Sequence, residues 1–172
     1  MRSLLLRALI EGPAVIDRPE PDSASVSELA RALADRFRQR LGRSLAIREV
    51  DAGSCNGCEL EIHALNNPVY DVERFGIKFV ASPRHADVLL VTGPVTWNMR
   101  QALERTYAAT PEPKWVVAAG DCAKNCGVFA GSYACVGPVS AVLPVDLHIP
   151  GCPPAPLDIL KGLLALIEAS SA

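Results

Sequence analysis

Aromatic residues are scarce in this sequence, at 5% of 172 residues. Nowhere are they interleaved with basic residues, which sets nucleic acid aside as a partner. Charge of one sign is also lacking: the net charge is −2, and only the stretch 36–43 is visibly basic, as a solvated helix face would be. No apolar run is long enough to span a bilayer. The segment Met1–Ile10 faintly resembles a signal peptide, but Arg7 breaks its apolar core and Glu11-Gly12-Pro13 stops it without a cleavage pattern. No Walker-type loop is present, since Gly120-Asp121-Cys122-Ala123-Lys124 has the wrong spacing. No GxGxxG follows a predicted strand, so flavin and nicotinamide binding are not expected. Internal repeats and low-complexity tracts are absent.

What is present suits a packed protein of one domain with an appended arm. Hydrophobic residues make up 49% and charged residues 21%. The apolar excess has two readings: richness in Ala, Leu and Val, or a surface covered by partners. Residues 1–22 form an arm in which Leu4, Leu5, Leu6, Leu9 and Ile10 cluster with Arg2 and Arg7. Such a segment is either a frayed terminus or an amphipathic helix on a membrane or partner surface. A helix is expected over 26–41, opened by a capping box at Ser25-Val26-Ser27-Glu28 and closed near Gly42.

From residue 45 the pattern changes. Strands are expected at 45–50, 77–81, 88–92, 115–119 and 145–149, and helices at 57–66, 96–108 and 156–168. This alternation predicts an α/β fold, with a mostly parallel sheet covered by helices on both faces. The chain divides accordingly into an arm and helix (1–44) and a sheet domain (45–172).

Six cysteines in a chain read as cytosolic point to metal or redox chemistry before disulfides. Cys55 and Cys58 follow the first strand, Cys122 follows the fourth and Cys152 follows the fifth. Ligands of an open parallel sheet sit beyond the carboxyl ends of its strands, so three strand ends deliver four thiols to one edge. A [4Fe–4S] cluster and a zinc ion both suit four thiolates. The cluster is favoured, because structural zinc usually takes two close pairs and here only Cys55-Asn56-Gly57-Cys58 is a pair. Gly53, Gly57, Gly120, Gly127 and Gly151 flank the thiols and let backbone N–H groups approach cluster sulfurs. A thioredoxin-like dithiol would leave Cys122 and Cys152 unexplained. Cys126 is a spare ligand or a packed residue, and Cys135 is expected to be buried and inert.

Four segments together resemble one family: Ser54-Cys55-Asn56-Gly57-Cys58-Glu59-Leu60-Glu61, residues 82–96, Gly120-Asp121-Cys122-Ala123 and Ile149-Pro150-Gly151-Cys152-Pro153-Pro154. This is the small subunit of membrane-bound, energy-converting [NiFe] hydrogenases, of the formate hydrogenlyase type. The same superfamily includes the complex I subunit carrying the last cluster before quinone. The resemblance runs over about 46–166. It implies a flavodoxin-like fold and one proximal [4Fe–4S] cluster on Cys55, Cys58, Cys122 and Cys152. It also implies a large subunit, a ferredoxin-like subunit and integral membrane subunits as partners, at the cytoplasmic face of the inner membrane. The spacing of Cys55 and Cys58 is of the hydrogenase type, whereas the complex I branch has adjacent cysteines there. No second cysteine-rich domain follows, which points to the membrane-bound branch. Cys126 before Gly127 departs from relatives that have glycine there. A complex I-like or nickel-free relative, reducing quinone or another acceptor, is the alternative.

Other residues carry weaker expectations. Glu59 and Glu61 could relay protons or tune a cluster, or be surface carboxylates. Arg84 and His85 could hydrogen-bond near the cluster or face the large subunit, and Arg84 could form a structural salt bridge. His148 reads as a satisfied core histidine, and His63 as an interface contact.

Overall fold

The computed structural model describes residues 23–169. The residue 1–22 arm therefore lies outside the described residues. The elements run α1 (Ser23–Leu41), β1 (Leu45–Asp51), α2 (Gly57–Ala64), β2 (Ile77–Phe79), β3 (Val88–Thr92), β4 (Val95–Thr96), α3 (Trp97–Ala109), β5 (Trp115–Ala119), α4 (Asp121–Asn125), β6 (Cys135–Gly137), β7 (Leu147–Ile149) and α5 (Pro156–Ala169). Five strands form one sheet in the order β2-β1-β3-β5-β7, and every pairing in it is parallel. This is the mostly parallel, flavodoxin-like α/β architecture.

The central strands explain the sheet. All five residues of β3 and all five of β5 are buried, as strands covered on both faces must be. Their side chains divide between two cores by the period of two. Val88, Leu90 and Val117 join Leu33 and Phe37 of α1, Ile62 of α2 and Leu163 of α5 on one face. Leu89, Val91 and Val116 join Leu103 of α3 and Ala123 of α4 on the other. Phe37 meets Trp115 edge-on, with ring centroids 6.3 Å apart.

Several boundaries differ from expectation. Helix α1 begins at Ser23, so Ser25 lies inside its first turn rather than capping it. Ser27 Oγ instead donates to the Ala24 carbonyl at 2.9 Å, a bond made within a helix already under way. The second strand ends at Phe79, with only the Val80 N–H continuing to the Ile47 carbonyl. The last strand starts at Leu147 rather than 145. Just before it, Asp146 Oδ2 accepts the Val116 N–H at 2.7 Å, so a side chain takes the place of a ladder carbonyl. The β4–β6 antiparallel pair and the short α4 were not expected.

Candidate metal centre

The carboxyl ends of β1, β3, β5 and β7 lie side by side, and their loops build the site. After β1, Asp51 Oδ1 accepts the N–H groups of both Gly53 and Ser54 at 2.7 Å, and Ser54 Oγ accepts the Asn56 N–H at 3.0 Å. The turn enters α2 through Asn56, whose φ of 70° is left-handed, a conformation asparagine tolerates better than most residues. Cys55 thus sits on the loop and Cys58 in the first turn of α2. Beyond β5, Gly120 leads into α4, which carries Cys122. Beyond β7, Gly151 leads to Cys152.

These four thiols line one cavity of about 70 Å³, together with Ser54, Gly57, Gly93, Asp121, Gly151 and Pro153. Cys58 and Cys122 are buried, whereas Cys55 and Cys152 are exposed. Two glycines pack against the buried thiols. A Cβ on Gly120 would stand 2.7 Å from Cys58 Sγ, and one on Gly127 would stand 2.8 Å from Cys122 Sγ. Both positions have positive φ, so glycine is required there by backbone and by space.

The thiols act on one another. Burial pushes the Cys58 thiol up to about 12, and Glu59, Cys122, Cys55 and Cys152 add to the rise. Burial also raises Cys122, with Cys152 and Cys55 contributing, while the Val128 backbone N–H directed at it works in the opposite sense. Deprotonating thiols this buried is costly, and iron held by them would offset that cost by taking the place of their protons. Among the described residues, no group of three His, Cys, Asp or Glu side chains is arranged to hold one metal ion. A single zinc would need sulfurs about 3.8 Å apart, given a Zn–S distance of about 2.3 Å.

The remaining cysteines stand apart. Cys126 is buried and closes α4 in a left-handed conformation, φ 68°, and it does not line the cavity. Burial raises its thiol, and the neighbour adding to that rise is Cys135 rather than any cavity cysteine. Cys135, expected to be buried, is half-exposed where it opens the edge strand β6.

The other candidates fall in different places. Glu59 is 6% exposed, and neither of its carboxylate oxygens has a hydrogen-bond partner among the described residues. It is not a surface carboxylate. Glu61 is half-exposed and His63 exposed on the same helix. Arg84 and His85 precede β3, and the cavity lies beyond its other end, so the sheet separates them from the thiols. Arg84 makes no ion pair among the described residues; the cation that does so in this region is Arg43, bidentate to Asp87. His148 is half-buried and bonds through Nε2 to the Gly120 carbonyl at 3.1 Å, as a satisfied structural histidine does. Sequence reasoning missed Glu49 on β1, whose carboxyl is raised by burial foremost, then lowered by His63 and raised by Glu59. It also missed Asp51 and Asp121. Asp121 follows a strand and precedes a cysteine, which was the available signal.

A flavodoxin-like sheet with four thiols lining one cavity at its carboxyl edge defines the fold and the candidate centre. Residues 55–166 match the family described as NADH ubiquinone oxidoreductase, 20 Kd subunit, and the chain belongs to that family. Its members are subunits of oxidoreductase complexes and bind iron–sulfur clusters, without themselves being the catalytic subunit. The chain is 48% identical over 128 residues to a Pyrococcus furiosus protein described as "probable membrane-bound hydrogenase subunit", covering 74% of this chain and 77% of that one. It is 42% identical over 151 residues to formate hydrogenlyase subunit 7 of Escherichia coli, covering 86% of this chain and 59% of that one. Among solved structures, one chain of the membrane-bound sulfane sulfur reductase, an archaeal respiratory membrane complex, superposes with a TM-score of 0.66 at 36% identity. The match covers 77% of this chain and 73% of that one. No helix among the described residues is long and apolar enough to cross a membrane.

Proposed function

We propose that this chain holds one [4Fe–4S] cluster on Cys55, Cys58, Cys122 and Cys152. It would serve as the electron-transfer small subunit of a membrane-associated [NiFe]-hydrogenase-like complex. The observation that carries this reading is the convergence of four thiols from three strand ends on a single cavity. When bound, the cluster supplies one-electron transfer. The chain's residues hold its iron, with backbone N–H groups such as that of Val128 directed at the sulfurs. The exposure of Cys55 and Cys152 supports a partner over the cavity mouth, in this reading a hydrogenase-like large subunit. A ferredoxin-like subunit and integral membrane subunits complete the assembly, placing the chain peripherally on the cytoplasmic face. Residues 1–44 serve as arm and helix, and 45–172 as the cluster-binding unit. The hydrogenase and formate hydrogenlyase relatives support this branch.

A second reading has its own support. The superposed chain belongs to a membrane-bound sulfane sulfur reductase, and this supports the alternative of a complex I-like or nickel-free relative passing electrons to quinone or another acceptor. Iron and nickel, measured in the complex purified anaerobically through a tag on this chain, separate the two. Iron with nickel is the expected result. Iron without nickel would move the assignment to the nickel-free branch. Full iron retention in Cys152→Ser would overturn the ligand set.

A further inference from the structure

The strands that supply the two single cysteines, β5 and β7, are clasped at both ends by the same device. At the far end from the cavity, the Asp146 N–H donates to the Val116 carbonyl at 2.9 Å, and Asp146 Oδ2 accepts the Val116 N–H at 2.7 Å. At the cavity end, the Asp121 N–H donates to the Gly151 carbonyl at 2.8 Å, and Asp121 Oδ1 accepts the Gly151 N–H at 3.1 Å. Each aspartate thus closes a reciprocal pair with one residue across the strand pair, Val116 within β5 and Gly151 just beyond β7. The cavity-end pair differs in what it joins, because Asp121 precedes Cys122 and Gly151 precedes Cys152. Asp121 also lines the cavity itself.

We infer that Asp121 is a positioning residue for the metal centre, fixing the Cys122 loop against the Cys152 loop through its hydrogen bond from the Gly151 N–H. The inference rests on the four-cysteine reading above. Two neighbouring bonds make the joint stiff. The Gly120 N–H donates to the Ile149 carbonyl at 2.8 Å, and His148 Nε2 bonds the Gly120 carbonyl at 3.1 Å. Each of these fixes the loop backbone but leaves the Gly151 N–H without its acceptor if Asp121 is lost. Gly151 has φ 137°, a region open to glycine, and a Cβ there would meet Pro154 Cα at 2.6 Å. Its conformation is therefore held by its surroundings, and the carboxylate is the one side chain bonded to its N–H. Loss of outer-shell groups that hold metal ligands in place typically costs about 10-fold or more in metal affinity.

The test uses the anaerobically purified complex and follows iron release to a ferrous chelator, with the EPR spectrum of the reduced centre as a second readout. Asp121→Ala is expected to speed release about 10-fold and to alter the EPR line shape. Asp121→Asn keeps an oxygen acceptor for the Gly151 N–H and is expected to recover most of the wild-type lifetime. Asp146→Ala removes the matching clasp away from the cavity and is expected to leave spectrum and release rate unchanged. Equal release from wild type and Asp121→Ala would overturn the inference. So would Asp121→Asn behaving like Asp121→Ala, or Asp146→Ala changing the spectrum as much. Cys152→Ser complex with the iron content and EPR spectrum of the wild type would instead overturn the four-cysteine reading.

Discussion

Among the cavity thiols, burial acts most strongly on Cys58. Its thiol stands at about 12, so at pH 8 only about one molecule in 10⁴ carries the thiolate that reacts with alkylating agents. Cys55 and Cys152 are exposed. In the chain stripped of metal, iodoacetamide at pH 8 should therefore modify Cys55 and Cys152 first and Cys58 last, as read by peptide mass spectrometry. Raising the pH should narrow the gap. Modification of Cys58 in step with Cys55 would show that the described burial is lost without metal. The preference for Cys122 over Cys126, argued from its place just after a strand, agrees with the cavity lining, which includes Cys122 and not Cys126. What the sequence did not carry was the burial of Glu59. A glutamate after a cysteine reads as a helix surface residue, and only the packing of α2 on the sheet removes it from water. Arg84 and His85 misled for a related reason. They adjoin a motif in sequence, but five residues of extended β3 separate their end of the sheet from the other.

At the level of elements, the buried central strands were plain in the sequence, since runs such as Val88-Leu89-Leu90-Val91-Thr92 fit little else. The β4–β6 pair was not, because two- and three-residue strands carry no period to read. Helix α4 is only five residues long, and Gly120 before it and Gly127 after it read as loop. The start of β1 depends on a contact that no local pattern shows. Asp87 Oδ2 accepts the Ala46 N–H at 2.9 Å, and its carboxylate pairs with both terminal nitrogens of Arg43. The Asp87 side chain is 2% exposed and that of Arg43 is 55%. The exposed guanidinium adds little on its own, so most of the effect lies in the buried N–H left without an acceptor. Asp87→Ala should cost about 1–3 kcal/mol, seen as a lower melting temperature of the complex. Asp87→Asn, which keeps one oxygen acceptor, should lose less. Equal losses in the two variants would place the effect in the charge instead.

For the whole molecule, the edge of the sheet that carries the thiols also carries apolar side chains in water. Leu60 follows Cys58 by two residues and is 62% exposed. Val128, whose N–H is directed at Cys122, is 79% exposed, and Tyr133 in the same connection is 96% exposed. Trp97, whose N–H donates to the Ala134 carbonyl beside Tyr133, is exposed as well. Single exposed apolar residues are ordinary on a soluble surface, but several in the connections at one edge of the sheet mark an interaction face. Leu60 bears on this most directly, because it is carried by the helix that supplies Cys58. Under the proposed function, Val128→Asp with Tyr133→Asp should leave the core intact, since neither side chain is buried in it. The double variant should retain its iron per chain but recover less of the other subunits in a tagged purification. Loss of iron in parallel with loss of partners would mean that the partner, rather than this chain's own loops, keeps the centre in place. Undiminished recovery would move the contact surface away from this edge, and leave the exposure of Cys55 and Cys152 without the cover the proposed function gives them.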